Sequence, residues 1–252
     1  MIDMHCHILP GIDDGARSEA ESMELLRAEK EQGVDRIVFT PHFYPERTPL
    51  GKFLRRREQS YDRLRNSPGF SELGIETKLG AEVCFSVKLV ETDVSGLCFE
   101  GTNYILIELP VSNKPFGLTH TLQNLLERGY TPILAHVERC GYFTQDPTLL
   151  YDIVMLGCAA QVNASSVING SWINGVSALR YISWELAHII CSDAHSTDTR
   201  RPNTKAAYER VKKKLGESYA DWLAANSTNI YNDRLLDIPM PHKPKKFLGR
   251  WR

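Results

Sequence analysis

Hydrophobic positions along the chain alternate between two patterns. Compact apolar runs, typical of buried strands, predict strands at the N-terminus and over 34–40, 76–82, 103–109, 131–136, 158–162 and 188–192. Apolar residues at helical spacing between these runs predict helices over 18–32, 50–66, 117–129, 146–156, 176–187 and 203–215. The alternation favours a parallel α/β sheet with helices outside it, and a chain of 252 residues suits one (β/α) barrel.

The first predicted helix has clear boundary signals. Ser18 is followed three residues later by Glu21, which is the spacing of a capping box. Gly33 lies just beyond the last apolar position and is typical of a helix end. These signals support a helix over 18–32.

The last stretch of the chain differs from the rest. Residues 239–252 contain three prolines and five Lys/Arg, with no periodic pattern. We therefore predict one domain over 1–238, followed by a basic, proline-containing tail over 239–252. Termini are commonly solvated, and this is the expectation for the tail. A contact of Phe247, Leu248 and Trp251 with a partner or a membrane surface is left open.

Composition narrows the class of protein. With 42% hydrophobic and 24% charged residues, the chain has the balance of an ordinary globular protein. Its net charge of −1 gives no electrostatic reason to expect a nucleic-acid or anionic-membrane partner. No apolar run approaches the roughly 20 residues of a membrane span, and no signal peptide is recognisable. The six cysteines are scattered without a C-x-x-C pair, which predicts reduced thiols and a cytoplasmic protein.

The most informative pattern is the position of ionisable residues. Potential metal ligands end six predicted strands, and they are His5 with His7, His42, Glu82, Glu108, His136, and Asp193 with His195. In a parallel barrel the carboxyl ends of the strands share one face, so these residues should converge. A single histidine is more often an ordinary hydrogen-bonded core residue. Six such strand ends favour a metal site, because buried charges need partners or metals.

Strand parity and ligand type refine this prediction. Side chains alternate between faces, so His5 and His7 should point together while Cys6 points away. Imidazoles and carboxylates without thiolates suit manganese, iron or zinc. The ligands exceed the needs of one ion, so we predict two or three ions, with Glu82 or Glu108 able to bridge them.

These motifs resemble the PHP phosphoesterases, named for polymerase and histidinol phosphatase domains. Within that family the chain is most similar to the bacterial tyrosine-protein phosphatases of capsular and exopolysaccharide synthesis. The matching segments, in family order over roughly residues 1–235, are M-I-D-M-H-C-H-I-L-P-G-I-D-D-G, T-P-H, G-A-E, L-I-E-L, A-H-V-E-R, Q-V-N-A-S-S and S-D-A-H.

The resemblance implies a distorted (β/α)7 barrel and a site for three divalent metal ions, with manganese expected and iron or zinc as alternatives. By the family pattern, His5, His7, Glu82 and Asp193 would hold one ion, Glu82, Glu108 and His136 a second, and Asp14, His42 and His195 a third. Asp13, next to Asp14, is assigned to no metal. Arg139 matches a phosphate-binding arginine of the family. Arg200 matches a second, with Arg201 as its rival.

The activity implied by the resemblance is metal-dependent hydrolysis of phosphomonoesters, above all of protein phosphotyrosine, in the regulation of capsular and exopolysaccharide synthesis. The implied partner is a phosphotyrosine protein such as a bacterial tyrosine kinase of polysaccharide synthesis, with no nucleic acid and no stable membrane insertion. Oligomeric state stays open. Two alternatives remain, a small-molecule PHP phosphatase of the histidinol-phosphate type and an amidohydrolase-type metal hydrolase, which commonly uses a bridging lysine.

A cysteine-dependent tyrosine phosphatase is not favoured. Its mechanism requires a thiolate six residues before an arginine. The positions six residues after the cysteines hold Ile12, Val90, Tyr104, Asp146, Ala164 and Thr197. Serine catalysis is also weakly supported, because the chain contains no G-x-S-x-G segment.

Overall fold

The computed structural model describes residues 1–170 and 177–251, which form short parallel strands surrounded by helices. The strands are β1 Ile2–Asp3, β2 Arg36–Phe39, β3 His42–Phe43, β4 Glu76–Leu79, β5 Glu82–Cys84, β6 Tyr104–Glu108, β7 Thr131–Leu134, β8 Ala159–Asn163, β9 Ile189–Cys191, β10 Lys246–Phe247 and β11 Arg250–Trp251. The helices are α1 Glu19–Glu31, α2 Leu50–Arg65, α3 Leu118–Glu127, α4 Gly141–Gln145, α5 Thr148–Met155, α6 Ala164–Asn169, α7 Ala178–Ser183, α8 Thr204–Leu215 and α9 Glu217–Tyr231. Single 3-10 turns lie at Ser71–Leu73, Val87–Val90, Ser95–Leu97 and Val137–Arg139.

The parallel strands curl into a distorted barrel. Strands β1, β2 and β4 form one parallel sheet, while β3 and β5 to β9 form a second. Strand β3 resumes β2 after residues 40–41, and β5 resumes β4 after residues 80–81. Backbone hydrogen bonds of 2.8 Å from His7 N to Ala194 O and from Asp193 N to His5 O connect the segments after β9 and β1. The predicted fold class is confirmed.

Two predicted strands are interrupted in the structure. The strand expected over 34–40 ends at Phe39, and the one expected over 76–82 is divided into β4 and β5. Pro41 has no N–H for a regular ladder. Gly80 lies where a Cβ would be only 2.8 Å from the Phe99 ring. Beyond these breaks the same register continues and pairs His42 with Glu82, so two predicted ligands lie side by side.

Helix α1 confirms the predicted start signal. The Ser18 hydroxyl accepts a hydrogen bond from Glu21 N at 3.3 Å, and the Glu21 carboxylate accepts one from Arg17 N at 2.8 Å. The helix buries Leu25 and Leu26 against the barrel. The helix predicted over 176–187 is observed as α7, although residue 176 lies outside the described residues.

Helices α4, α6 and α9 were not predicted from the sequence, and α9 is the longest of them at 15 residues. Its buried side contains Asn226 and Ser227, which interrupt an apolar stripe. Asn226 is satisfied by Asp237, whose N–H donates to its side-chain oxygen at 3.0 Å, and Ser227 donates to Leu223 O at 3.0 Å. Polar residues with local hydrogen bonds thus replace the hydrophobic pattern on which the prediction depends.

Helix α9 contributes to an apolar cluster at the centre of the barrel. Ile230 and Tyr231 pack there with Met4, Leu106 and strand residues of β7 to β9. A larger cluster fills the space between the strands and the outer helices. Among the described residues, no helix combines the length and apolar character needed to cross a bilayer.

We expect Gly15→Ala to lower the free energy of unfolding by about 3 kcal/mol, as overpacking of a rigid site does. An added Cβ would lie 1.9 Å from His7 O and 2.6 Å from His7 Cβ. Gly51→Ala is the matched control, since Gly51 is exposed in α2 and a Cβ there would meet only a flexible arginine end at 3.5 Å. Urea denaturation measures both variants. Equal stability of the Gly15 variant and the parent would contradict this packing.

Candidate metal centre

All nine predicted ligands meet at the carboxyl ends of the barrel strands. They form four overlapping groups in which the candidate ligand atoms lie within 4.8 Å of one another. The groups are His7, Asp14, His42 and His195; His5, His7 and Asp193; His5, Glu82 and His136; and His42, Glu82 and Glu108. Because several residues belong to two groups, the arrangement is one connected cluster rather than separate sites.

His5 and His7 present the same ring nitrogen to the cluster. His5 Nδ1 lies 3.1 Å from Gln161 Oε1, and His7 Nδ1 lies 2.8 Å from Asp13 Oδ2. An amide oxygen and a carboxylate only accept hydrogen bonds, so these contacts assign the proton of each neutral ring to Nδ1. The two Nε2 atoms then carry lone pairs, and they lie 3.3 Å apart. A shared cation would relieve their repulsion.

Glu82 is the central carboxylate of the cluster. Its Oε1 lies 3.3 Å from His5 Nε2 and 2.9 Å from His136 Nε2. Its Oε2 lies 3.2 Å from His7 Nε2 and 3.0 Å from His42 Nδ1. With a side chain only 1% exposed and both oxygens facing imidazole nitrogens, Glu82 has the position that a bridging ligand requires.

The electrostatics show that this cluster demands positive charge. Burial acts to raise the pKa of Glu82, but charged His5 and hydrogen bonds from the surrounding imidazoles hold that pKa well below its ordinary value. The pKa of Asp193 is likewise lowered, since His5 and His7 outweigh its burial. In return, burial would lower the pKa of His5, yet Glu82 and Asp193 raise it to about 8. Imidazolium or metal cations can supply this charge.

Asp14 and its neighbour Asp13 have different environments. His42 Nε2 and His195 Nε2 each lie 3.4 Å from Asp14 Oδ1, so this carboxylate faces the cluster. Asp13 instead accepts hydrogen bonds from His7 Nδ1, from Gly15 N at 3.0 Å and from His42 N at 3.1 Å. Asp13 therefore orients ligands, whereas Asp14 is available as one.

Several buried polar atoms of the cluster test whether a metal fits. Among residues 1–170 and 177–251, Glu82 Oε2, His42 Nδ1 and His195 Nε2 have no aligned hydrogen-bond partner. The 3.0 Å approach of His42 Nδ1 to Glu82 Oε2 is an ion-pair distance without hydrogen-bond alignment. Unpartnered buried polar groups are costly and rare. Since all three atoms are metal-ligand types, the residues fit a group of divalent ions.

A chain of amides supports the cluster from strand β8. Gln161 Oε1 accepts from His136 N at 2.8 Å as well as from His5. Gln161 Nε2 donates to Asn163 Oδ1 at 2.8 Å, and Asn163 Nδ2 donates to Asp193 Oδ2 at 2.7 Å. Such contacts fix the orientation of metal ligands.

A second support was missed from the sequence. Asp3 is fully buried and accepts hydrogen bonds from Ser192 N at 2.9 Å and from Ser192 Oγ at 2.5 Å. Ser192 Oγ in turn accepts from Ala194 N at 3.1 Å, which shapes the turn where Asp193 has a left-handed φ of 52°. The available signal was parity, because Asp3 lies two residues before His5 in an otherwise apolar strand.

Two arginines reach the open side of the cluster. Arg200 Nη2 lies 2.8 Å from Asp193 Oδ1, and its Nη1 lies 4.0 Å from Asp14 Oδ2. Arg139 Nη1 lies 3.6 Å from Asp193 Oδ2. Their side chains are 40% and 46% exposed, so both guanidinium groups face solvent and cluster at once. Because of these contacts, Arg200 is a better candidate than its exposed neighbour Arg201 for binding an anion at the cluster.

The mouth of the cluster has an aromatic side and a polar side. The Tyr44 ring centroid lies 5.5 Å from that of His42, and the Arg47 guanidinium lies 5.4 Å from the Tyr44 ring. A cavity of about 480 Å³ is lined in part by the polar residues Asp14, His195 and Arg200. The cluster is therefore accessible to a ligand from solvent.

Comparison with known proteins gives a family match over most of the chain. Residues 1–232 match the family model described as capsular polysaccharide synthesis, CpsB/CapC. The chain is 32% identical to the tyrosine-protein phosphatase YwqE of Bacillus subtilis over 256 aligned positions, covering 99% of each chain. It is also 32% identical to the putative tyrosine-protein phosphatase CapC of Staphylococcus aureus, again covering 99% of each.

Structural comparison agrees with these matches. A crystal structure described as one of YwqE from Bacillus subtilis and CpsB from Streptococcus pneumoniae, "unique metal-dependent tyrosine phosphatases", superposes with a TM-score of 0.87. It is 29% identical in sequence, and the match covers 98% of this chain and 100% of that one. A TatD-family hydrolase from Entamoeba histolytica, 10% identical with a TM-score of 0.54 over 92% of this chain and 97% of that one, shares the fold.

We expect Asp13→Asn to weaken divalent-metal binding roughly 10- to 100-fold, as loss of a supporting ligand contact does. Asparagine has one acceptor oxygen, so it cannot replace both carboxylate oxygens that Asp13 offers to His7, Gly15 and His42. Competition with a fluorescent chelator measures the affinity. Exposed Asp152→Asn is the matched control and should leave it unchanged. An Asp13 variant with parental affinity would refute the supporting role.

Proposed function

This chain belongs to the CpsB/CapC family of capsular polysaccharide synthesis, and we propose that it is a metal-dependent phosphatase that hydrolyses phosphotyrosine in proteins. The observation that carries the proposal is the convergence of nine imidazole and carboxylate ligands beneath two solvent-facing arginines. This combination suits metal-assisted phosphoryl chemistry, in which an anionic group must be bound and its developing charge stabilised.

The donor set supports three divalent ions, with manganese as the proposed metal and iron or zinc as alternatives. The proposed ligands are His5, His7, Glu82 and Asp193 for one ion, Glu82, Glu108 and His136 for a second, and Asp14, His42 and His195 for a third. The observed groups add His5 to the second set and His7 to the third, and they place His42 beside Glu82 and Glu108. Bound ions would supply Lewis-acid stabilisation of phosphoryl oxygens and a nucleophile at neutral pH.

The arginines would bind the phosphate. Arg139 and Arg200 both point to Asp193, and their exposed guanidinium groups can donate hydrogen bonds to phosphoryl oxygens. They would orient the ester and stabilise charge as the bond to the leaving group breaks. Tyrosinate has a parent pKa of about 10, so departure of the leaving group needs less help from a general acid than departure of an alkoxide.

The aromatic side of the mouth supports an aryl phosphate. Tyr44 lies beside His42, and its own backbone oxygen accepts hydrogen bonds from Arg47 N and Thr48 N at 3.0 Å, which fixes the turn. Glu46 in the same turn accepts from Ser86 Oγ at 2.6 Å. A tyrosine ring presented by this turn could pack against the ring of a phosphotyrosine substrate.

Two alternatives are less well supported. An amidohydrolase-type enzyme shares the H-x-H start, but the bridging position here is a carboxylate, Glu82, rather than a lysine. A small-molecule phosphatase of the histidinol-phosphate type would use the same cluster. The relatives reported above are described as a tyrosine-protein phosphatase and a putative tyrosine-protein phosphatase, which favours the protein substrate.

The proposed partner is a phosphotyrosine protein, in particular a bacterial tyrosine kinase of polysaccharide synthesis. The support is the family's description, capsular polysaccharide synthesis, together with the phosphatase relatives. A cytoplasmic location remains part of the proposal and is consistent with six free thiols. The domain limits of 1–238 and 239–252 stay a prediction.

We expect thorough chelation to abolish hydrolysis of a phosphotyrosine peptide and added Mn²⁺ to restore it, because the proposed mechanism depends on the ions for its nucleophile and for stabilisation of charge on the phosphoryl oxygens. The assay should include histidinol phosphate and single-stranded DNA, which should be turned over less efficiently. Full activity in chelated protein would overturn the metal mechanism. A preference for histidinol phosphate would instead support the small-molecule alternative.

We expect Arg200→Ala to lower kcat/KM for a phosphotyrosine peptide by about 100-fold, as removal of one donor to a charged transition state does. Arg201→Ala is the matched control and should stay within about twofold of the parent. Metal content, measured on the same samples, should not change for Arg201→Ala. If Arg201→Ala shows the large loss of kcat/KM and Arg200→Ala does not, Arg201 is the phosphate-binding residue and the assignment of Arg200 is wrong.

A further inference from the structure

The basic tail forms a defined structure on the surface of the barrel. Strands β10 and β11 pair as an antiparallel hairpin, with Phe247 opposite Arg250. The hairpin is attached to the protein by Trp251, whose indole Nε1 donates to Gln145 O at 3.0 Å. Gln145 is the last residue of α4, which begins two residues after Arg139. The hairpin is therefore connected to the element that follows a phosphate-binding candidate.

The residues before the hairpin are also fixed to the protein. His242 N donates to Trp184 O at 3.0 Å, and the His242 ring lies 2.9 Å from a Glu185 carboxylate oxygen. Lys243 lies over the Tyr151 ring, 5.2 Å from its centroid. These contacts hold the tail along the surface and present the hairpin in one orientation.

The hairpin tip has an unusual residue for its backbone conformation. Leu248 and Gly249 form the two-residue turn, with φ values of 49° and 77°. Positive φ at both positions is typical of a turn that prefers Asn-Gly, and a leucine there is disfavoured. Leu248 is nevertheless 86% exposed, beside Phe247 at 54%. An apolar side chain thus occupies a strained, exposed position that a polar residue would fill better.

Basic residues surround this apolar tip. Lys245, Lys246 and Arg250 are exposed within six residues of one another, and Lys243 precedes them. The segment 239–252 contains five Lys/Arg and no acidic residue, so the remainder of a chain with net charge −1 is acidic on balance. The tail is therefore a local basic surface, although the net charge of the whole chain is negative. Because salt screens distant charges, this local surface decides the attraction to an anionic partner at close range.

We propose that this hairpin docks the protein peripherally on an anionic lipid surface. The basic side chains are complementary to acidic head groups, and the exposed leucine and phenylalanine can enter the interfacial region. The lysine stems can extend along the apolar surface while their ammonium groups stay at the head groups. An acidic peptide would match the charge but leaves the apolar tip unexplained, so lipid is the favoured partner.

The test is flotation of the full-length protein with vesicles of phosphatidylcholine alone or with 30% phosphatidylserine. We expect the parent protein to bind the anionic vesicles at least roughly tenfold more tightly, with binding weakened by high salt. Lys245→Glu with Lys246→Glu should lower the affinity roughly tenfold or more. Lys213→Glu with Lys214→Glu makes the same change of net charge on exposed positions of α8 and should have little effect.

The tip is tested by Leu248→Asn, which suits the left-handed turn and preserves the hairpin. We expect it to lower vesicle affinity severalfold while turnover of a soluble phosphotyrosine peptide stays at the parental level. Equal binding to neutral and anionic vesicles would overturn the proposal, as would equal losses from the α8 control. Parental vesicle binding by Leu248→Asn, together with tight binding to polyglutamate, would identify an acidic peptide as the partner instead.

Discussion

The buried carboxylate of Glu82 is the group on which the arrangement of the site depends. Its two oxygens lie within 3.3 Å of nitrogens from His5, His7, His42 and His136. A buried anion among imidazole lone pairs is stable only if positive charge is also present. Protons on the imidazoles can supply that charge, and divalent ions can do so while satisfying the unpartnered atoms as well. The need for positive charge around Glu82 is therefore the physical reason why this site suits metal-dependent chemistry.

The rest of the barrel serves to keep these ligands in place. Strands β3 and β5 follow the breaks near Pro41 and Gly80, keep the register of β2 and β4, and so put His42 beside Glu82. Behind the ligands, Asp13 and Gln161 each accept hydrogen bonds from a histidine ring, which leaves the opposite nitrogen for the cluster. Removal of a support should therefore weaken metal binding without removing a ligand, which separates orientation from coordination.

Much of the fold and of the candidate metal site could be predicted from the sequence, because the patterns that indicate them are local in the chain. Strand ends, parity and the Ser18 cap depend on neighbouring residues. They indicated the barrel and predicted that eight of the ligands lie on one face, whereas Asp14 was assigned only through the family resemblance. Helix α9 could not be predicted, because its buried Asn226 and Ser227 interrupt the apolar pattern. Ser227 is satisfied within the helix by Leu223 O, and Asn226 is satisfied by Asp237, which lies beyond the helix end. The role of Asp3 depends on Ser192, a residue far away in sequence. The sequence motifs also gave no sign that His5, His7 and His42 would each belong to two ligand groups, as they do in the structure.

The most direct test of the account is anomalous diffraction at the manganese edge from crystals of the Mn²⁺-loaded protein. The account predicts three peaks inside the cluster, one of them within bonding distance of both His5 and His7 and one beside Asp14, His42 and His195. Glu82 should contact more than one peak. Fewer than two peaks in the cluster, or manganese bound only elsewhere on the protein, would contradict the central claim that Glu82 organises a multinuclear metal site.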